Sequence, residues 1–194
     1  MRTKLLLALP FVFLLTGCGY NRIQSLDERA EQAKSNVGVE LTNRNQLIPN
    51  MVSTVQGAAD FERGTFTEVA QARAGLQQAG DEVRQAVESG DVDQLSAADA
   101  QLSSQFRNFI NVAVEAYPQL RATGNFQGLQ DQLAESENRI SVARRDYNQT
   151  VQEYNSYIRQ FPQAVTARVI GAERKQPYQA PAGSEQAPVV EFER

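Results

Sequence analysis

The feature that most constrains this chain is a regular stripe of apolar and small residues that begins at Phe126. Its residues recur at alternating steps of three and four, the heptad spacing of a helix packed nearly parallel to its neighbours in a coiled coil or bundle. At about 1.5 Å per residue, a helix over this stretch would be about 54 Å long, and other parts of the chain must cover its stripe. We call the stripe the heptad seam; its members are Phe126, Leu129, Leu133, Ser136, Ile140, Ala143, Tyr147, Thr150, Tyr154, Tyr157 and Phe161.

Three more apolar stripes at helical spacing precede the heptad seam, over residues 23–41, 52–76 and 95–120. Pro49 lies between the first two stripes, where it disfavours helix at the preceding residue and suits the first turn of a new helix. If the chain folds back near Pro49, the stripes belong to four helices of similar length. The sequence therefore predicts an all-α fold, an antiparallel up-down four-helix bundle with long helices. A bent three-helix arrangement is the alternative.

The segments between and after the stripes contain residues that interrupt helices. Residues 80–93 are rich in Asp, Glu and Gly, and they predict a weakly helical or loop connection. Pro118 lies inside the third stripe and predicts a local kink, while Thr123-Gly124-Asn125 predicts a C-cap followed by the cap of the next helix. From Gly171 onward, Pro and small polar residues predict an extended or disordered tail.

The N-terminus has the pattern of a bacterial export signal. A short basic segment, Met1–Lys4, is followed by an apolar run of about 11 residues, which suits a signal peptide and is shorter than the roughly 20 residues of a membrane span. Leu15-Thr16-Gly17-Cys18 resembles a lipobox, in which the Cys is acylated and becomes the first residue of the mature chain. Cys18 is the only cysteine. An uncleaved N-terminal anchor, or a signal peptide cut elsewhere, is the alternative.

These boundaries predict three parts: a signal peptide over residues 1–17, a helical bundle over 18–170 and a flexible tail over 171–194. Several acyl chains on Cys18, palmitate among them, would anchor the chain firmly to a membrane, because each buried methylene contributes about 0.8 kcal/mol. The body would then lie in the bacterial cell envelope, outside the cytoplasm. Gly19 favours the outer membrane over the inner membrane if the source is Gram-negative.

The composition argues against several classes of function. The chain of 194 residues is acidic, with a formal charge of −4 and no basic cluster, so it lacks the charge on which nucleic-acid affinity depends. It contains no His and one Cys, which removes the usual ligands of transition metals and most Ser–His or Cys–His nucleophile systems. We therefore expect no metal, no cofactor and no enzymatic activity.

A second stripe, one position along from the heptad seam, is mostly polar, and it contains Glu137, Arg144, Asn148 and Asn155. One interpretation is a buried polar network that fixes the register of the helices, with partners for Glu137 and Arg144 drawn from Arg44, Glu62 or Arg73. The other is a groove for a ligand or partner. The candidate residues of this polar groove or partner face are Glu137, Arg144, Tyr147, Asn148, Tyr154 and Asn155.

A set of short motifs spread over residues 19–178 gives the chain a family resemblance. The motifs are Tyr20-Asn21, Leu47-Ile48-Pro49-Asn50, Ala72-Arg73, Ala116-Tyr117-Pro118, Asn125-Phe126, Leu129-Gln130, Leu133, Glu137, Ala143-Arg144, Tyr147-Asn148, Tyr154-Asn155 and Phe161-Pro162. Together they resemble the LemA family of bacterial envelope proteins. Two positions depart from the usual pattern of the family. The family usually has an acidic residue where this chain has Gln46, and it usually has Tyr within the stretch that here is Gly57-Ala58-Ala59.

The resemblance implies a helical, bundle-like domain that is anchored at the membrane by its N-terminus. It implies no catalytic residues. We therefore expect a non-enzymatic, membrane-anchored envelope lipoprotein that acts as a helical scaffold or protein-interaction module and contacts an envelope protein. The alternative is a small-ligand-binding helical bundle that uses the Tyr and Asn residues of the polar groove.

Overall fold

The computed structural model describes residues 2–59 and 67–179, with side chains for 19–57 and 67–179. Over these residues the chain is helical, without any β-strand, which confirms the all-α prediction. Among these residues, no helix has the length and hydropathy of a membrane span. The elements are α1 (Arg2–Asn45), α2 (Leu47–Ala59), α3 (Thr67–Ser89), α4 (Val92–Ala116), a 3-10 helix (Pro118–Ala122), α5 (Gly124–Tyr157) and α6 (Gln163–Val169).

The chain divides into two compact units, and the long helices α1 and α5 contribute to both. The first unit contains Met1–Val37 and Ser141–Pro177. Its core brings together apolar residues of α1, α5 and α6, with further packing from half-buried residues after α6. The core members are Ile23, Leu26, Tyr154, Ile158 and Ala167.

The second unit contains Gly38–Ile140 and Tyr178–Arg194. Here α3 packs along α4, which continues into the 3-10 helix. Large aromatic and aliphatic side chains fill the interior almost without solvent exposure, as expected for a close-packed core. They include Leu41, Met51, Leu76, Leu102, Phe106, Phe109, Tyr117, Leu120, Phe126 and Ile140.

The start of α2 agrees with the new helix predicted at Pro49, but Ile48, where Pro49 is expected to disfavour helix, is the second residue of that helix. The backbone N–H of Gln46 still donates to the Thr42 carbonyl, at 3.1 Å, and α2 begins at the next residue. Pro49 is therefore in the first turn of α2, where a missing N–H leaves no helical hydrogen bond unmade.

The prediction of a weak or looped connection over residues 80–93 is wrong for most of that stretch. Helix α3 continues to Ser89, and only Gly90 and Asp91 separate it from α4. Val83 and Ala86 are buried, so tertiary packing supports the helix despite its Gly and acidic residues. Gly90 has φ of 66°, and the Asp91 side chain caps α4 by accepting from the N–H of Gln94 at 2.9 Å.

The chain between α4 and α5 also differs from the predicted kink and cap. Helix α4 ends at Ala116, and Pro118 opens a 3-10 helix because its ring nitrogen cannot donate to the preceding turn. Gly124 is the first residue of α5 rather than a C-cap. Thr123 is extended, and its carbonyl accepts from Gln127 at 3.2 Å, so Thr123 occupies the position that starts the new helix.

The heptad seam is buried or half-buried along α5, with one exception at its end. Phe161 is 86% exposed and lies outside the helix, so its predicted place in the seam is wrong. Helix α5 has already ended at Tyr157, which removes the Phe161 side chain from the stripe. The buried members of the seam are Phe126, Leu129, Ser136, Ile140, Tyr147 and Tyr154.

Candidate functional site

The segment after α6 is held against α5 in the first unit by side chains of the predicted polar groove. The Asn155 amide donates to the Lys175 carbonyl at 2.8 Å and accepts from the Lys175 backbone N–H at 2.9 Å. About two turns earlier on α5, the buried Tyr147 hydroxyl donates to the Gln176 carbonyl at 2.8 Å. Two predicted groove residues therefore bind the backbone of this chain's own C-terminal segment.

The Lys175 side chain crosses to α1 and forms the main charged cluster of the first unit. Its Nζ lies 3.0 Å from Asp27 Oδ1 and 2.7 Å from Glu31 Oε1, and it sits 5.5 Å from the centre of the Tyr154 ring. Glu31 is also paired with Lys34, at 2.6 Å. Lys175 thus links the C-terminal segment to α1 as well as to α5.

These contacts shift three pKa values. Hydrogen bonds from Lys175 and then Lys34 lower the pKa of Glu31 below its usual 4.5. Burial by itself would lower the pKa of Lys175, but hydrogen bonds to Glu31 and Asp27 outweigh it and raise the pKa above 10.5. Burial, followed by the charge of Asp27, raises the pKa of Tyr154. Around neutral pH Glu31 and Lys175 are therefore charged, and Tyr154 is neutral.

An open groove of about 990 Å³ runs along α1 and α5 in the first unit. Most of its lining is amide, hydroxyl and charged side chains. Asn148 is the one residue of the predicted polar groove that lines it. The other lining residues include Arg22, Arg145, Gln149, Gln152 and Ser156.

Glu137 belongs to the second unit, and it forms an ion pair there with Arg44. The distance from Arg44 Nη1 to Glu137 Oε2 is 2.9 Å. Arg44 is one of the three partners that the sequence offered for Glu137. Of the other two, Arg73 is half-buried on α3, and Glu62 lies outside the described residues. Arg144, in the first unit, is half-buried on α5.

Arg44 is buried at the centre of a polar network in the second unit. Its Nη1 donates to Ser103 Oγ at 2.8 Å and lies 3.5 Å from Asp99 Oδ1, and its guanidinium stacks 5.3 Å from the centre of the Phe106 ring. Asp99 is fully buried and accepts from the Tyr178 hydroxyl at 2.8 Å. Each charge in the network therefore has a partner, as the cost of burying it requires.

Sequence reasoning missed Asp99, Ser103, Lys175 and Tyr178. For Asp99 there was a signal, because it continues the helical spacing of Leu95, Leu102 and Phe106 and therefore falls on the apolar side of α4. A charged residue in such a stripe predicts a buried partner. Lys175 and Tyr178 follow the last helix, where no periodicity indicates which residues are buried.

The contacts around Lys175 and the buried network around Arg44 have a geometry that holds helices and the C-terminal segment in place. Within the described residues, no group of three or more His, Cys, Asp or Glu side chains is arranged to hold a metal ion. Cys18, the predicted lipidation residue, is in a helical turn of α1, and its side chain is outside the described part. Gly19 follows it and packs against α6, since a Cβ built on Gly19 would lie 3.5 Å from Thr166 Oγ1.

Comparison with known proteins finds relatives along most of the chain. Two proteins of Paramagnetospirillum magneticum, "Magnetosome protein MamQ 1" and "Magnetosome protein MamQ 2", are each 25% identical to it. The "Magnetosome protein MamQ" of Magnetospirillum gryphiswaldense is likewise 25% identical. Each match covers 84% of this chain and 66% of the relative, so the chain spans just under two thirds of the length of these relatives.

A family model described as "LemA family" matches residues 33–192, which is most of the chain. Neither that description nor the names of the relatives denotes an enzyme. The matched region contains Arg44, Asp99 and Glu137 of the buried network, together with Tyr147 and Asn155, which hold the C-terminal segment. The chain therefore belongs to the LemA family.

Proposed function

We propose that this protein is a membrane-anchored, non-enzymatic lipoprotein of the bacterial cell envelope, and that its helical body is a scaffold that presents a surface to another envelope protein. Cys18 is its lipidation site in this proposal, and the outer membrane is the favoured location. The antiparallel order of the long helices that the stripe lengths predict is part of the same proposal. The names of the MamQ relatives, magnetosome proteins rather than catalysts, are compatible with a structural role.

The observation that carries the proposal is the continuity between the lipidation residue and the folded body. Helix α1 runs through position 18 without a break, and Gly19 already packs against Thr166 of α6. An acyl anchor at Cys18 would thus be attached directly to a rigid helix, with no flexible linker between them. A scaffold needs this property, because a rigid attachment holds the presented surface at a fixed height above the bilayer.

The first test compares the native protein with Cys18→Ser by intact mass and by membrane fractionation. The wild type should show acyl mass and sediment with membranes, and Cys18→Ser should lack the added mass and bind membranes more weakly. Val12→Leu, which keeps the apolar segment and Cys18, is the matched control and should behave as wild type. A wild-type protein without acyl mass would contradict lipid anchoring.

The second test addresses the scaffold role. Crosslinking in intact cells, followed by purification from detergent-solubilised membranes, should recover a specific envelope protein in stoichiometric amounts. The Cys18→Ser protein, which would not reach the same membrane, should lose that partner. Recovery of no specific protein with crosslinkers of several lengths would contradict a scaffold role.

A small-ligand-binding bundle is the second candidate, and the open groove between α1 and α5 favours it. Amide side chains, two arginines and Glu153 line this groove, which suits a small polar molecule. Thermal-shift screening against envelope metabolites should then find a compound that raises the melting temperature in a titratable way. Gln152→Leu, which alters the lining, should reduce the shift, whereas Gln132→Leu, at an exposed position of α5 outside the groove, should not.

A further inference from the structure

The short helix α6 carries apolar residues on its outward side as well as on its buried side. Thr166 and Ala167 are buried, and Ala167 is part of the core of the first unit. Val165 and Val169 lie four residues apart on the other side and are 54% and 80% exposed. A helix at a protein surface in water normally presents polar residues outward. The outward side of α6 therefore suits a less polar environment than water.

Exposed apolar side chains are concentrated around this helix. Among the described residues, six large apolar side chains are exposed, and three of them, Phe161, Val165 and Val169, belong to one short segment. A fourth, Tyr20, is one residue from the Gly19 that packs on α6. Because exposed apolar residues on a soluble surface are usually scattered, such a concentration marks a surface that contacts a partner or a membrane.

The position of α6 points to a membrane. A Cβ built on Gly19 would lie 3.5 Å from Thr166 Oγ1 and 3.6 Å from Gln163 Cγ, so α6 packs directly on the turn of α1 that follows Cys18. In the proposed processed chain, which begins at Cys18, the acyl chains would enter a bilayer beside this turn of α1. The exposed side of α6 would then be within reach of the leaflet that holds those chains.

The charges beside this side of α6 fit the headgroup region of a bilayer. Arg159 and Arg168 are exposed, and residues 157–172 contain no Asp or Glu. The segment is thus locally cationic although the chain as a whole is acidic, with a formal charge of −4. Basic residues that flank an apolar surface strengthen binding to anionic lipids.

We propose that Phe161, Val165 and Val169 insert into the interfacial region of the bilayer, with Arg159 and Arg168 at the lipid phosphates. Helix α6 would then be a second membrane contact, which orients the first unit on the bilayer beside the anchor at Cys18. This inference rests on the membrane location in the proposed function, but it does not require the acyl group to be present. Apolar contact and electrostatic attraction supply the binding.

Tryptophan fluorescence tests the inference directly, because the chain contains no Trp. We would introduce Phe161→Trp into the full chain and add the purified protein to phosphatidylcholine vesicles with or without phosphatidylglycerol. The emission should shift to the blue and be quenched by phosphatidylcholine brominated near the headgroup end of its acyl chains. Val142→Trp, at an exposed position of α5 in the same unit, is the matched control and should show neither change.

Three further variants make the result independent of one substitution. Val169→Trp should be quenched like Phe161→Trp. Val165→Asp in the Phe161→Trp background should reduce the quenching several-fold, with an unchanged circular dichroism spectrum because residue 165 is exposed. Replacing Arg159 and Arg168 with Gln should weaken binding to vesicles that contain phosphatidylglycerol and leave binding to pure phosphatidylcholine nearly unchanged.

The outcomes separate this inference from the proposed lipidation. If intact mass shows the acyl group, the protein binds vesicles, and the emission of Phe161→Trp is insensitive to brominated lipid, the membrane contact of α6 is refuted and lipidation stands. If acyl mass is absent and quenching still occurs, lipidation is refuted and the contact of α6 stands. A blue shift that depends on protein concentration without lipid would identify a second copy as the occupant and overturn the inference.

Discussion

Asn155 and Lys175 form a two-point clamp in which one amide side chain satisfies both backbone groups of one residue. The amide donates to the Lys175 carbonyl at 2.8 Å, and its oxygen accepts from the Lys175 N–H at 2.9 Å. The clamp fixes a non-helical segment that has no secondary structure of its own. It also gives Asn155 a structural role in a position where the sequence suggested a partner face.

Removing the clamp should release the C-terminal segment. Asn155→Ala leaves two partly buried backbone groups without partners, and we expect it to lower the free energy of unfolding by about 1–3 kcal/mol. Hydrogen exchange at the amides of residues 173–176 should accelerate more than exchange in the helices. Asn138→Ala, at an exposed position of the same helix, is the control and should change neither quantity. Unchanged exchange in Asn155→Ala would show that other contacts hold the segment.

Tyr147 tests whether the heptad seam is core. Its side chain is 2% exposed, and its hydroxyl donates to the Gln176 carbonyl. Tyr147→Ala should lower the free energy of unfolding by about 3 kcal/mol or more, because it leaves a cavity. Tyr147→Phe keeps the ring and should cost about 1 kcal/mol, the value of the lost hydrogen bond. Urea denaturation measures both, and a loss below about 1 kcal/mol for Tyr147→Ala would place this face of α5 outside the core.

The buried network should be sensitive to the loss of Arg44, the cation that pairs with Asp99 and Glu137. Arg44→Met leaves Asp99 buried opposite an apolar side chain and should cost about 3–5 kcal/mol. Asp99→Asn in the same chain removes the uncompensated charge and should recover part of that loss, which a double-mutant cycle measures. Arg139→Met breaks an exposed pair with Glu40 and should cost less than about 1 kcal/mol. Similar losses in Arg44→Met and Arg139→Met would contradict a structural role for the network.

Lys175 should make stability depend on pH at both extremes. The lowered pKa of Glu31 contributes stability above the unfolded value near 4.5, and this is lost as pH falls through the folded pKa. The raised pKa of Lys175 contributes stability below 10.5, which is lost as pH rises through the folded pKa. Lys175→Gln should flatten the free energy of unfolding in both windows. Arg174→Gln, at the exposed neighbouring residue, should retain the wild-type pH profile. If both variants flatten the profile, the pH dependence does not come from the ion pairs of Lys175.

Two helical glycines should respond to alanine with opposite signs. A Cβ on Gly80 would collide with Asn45 Oδ1 and lie 2.7 Å from Ile48 Cδ1, so Gly80→Ala should destabilise the protein. Nothing lies within 4 Å of a Cβ on Gly57 in α2, so Gly57→Ala should stabilise it by about 0.5–1 kcal/mol. Thermal denaturation compares the pair. An increase in melting temperature for Gly80→Ala would refute the close contact at that residue.

The sequence by itself determined the helical class and most of the buried faces. The heptad seam predicted the buried side of α5 as far as Tyr154, because a helix has a fixed period and its core side repeats with that period. Pro49 predicted the start of α2 for a similarly local reason, since a missing N–H is tolerated in a first turn. The seam fails at Phe161 because α5 has already ended at Tyr157.

Only the tertiary structure decided which segments are helical despite a low helix propensity, and which polar side chains contact one another. Residues 80–89 are helical because Val83 and Ala86 pack into the core. The Gly and acidic residues of this stretch do not indicate a helix in the sequence. The sequence offered Arg44 as one of several partners for Glu137, and only packing selected it and added Asp99 and Tyr178. Residue pairs distant in the chain depend on how elements pack, and a single sequence carries no periodic signal for that.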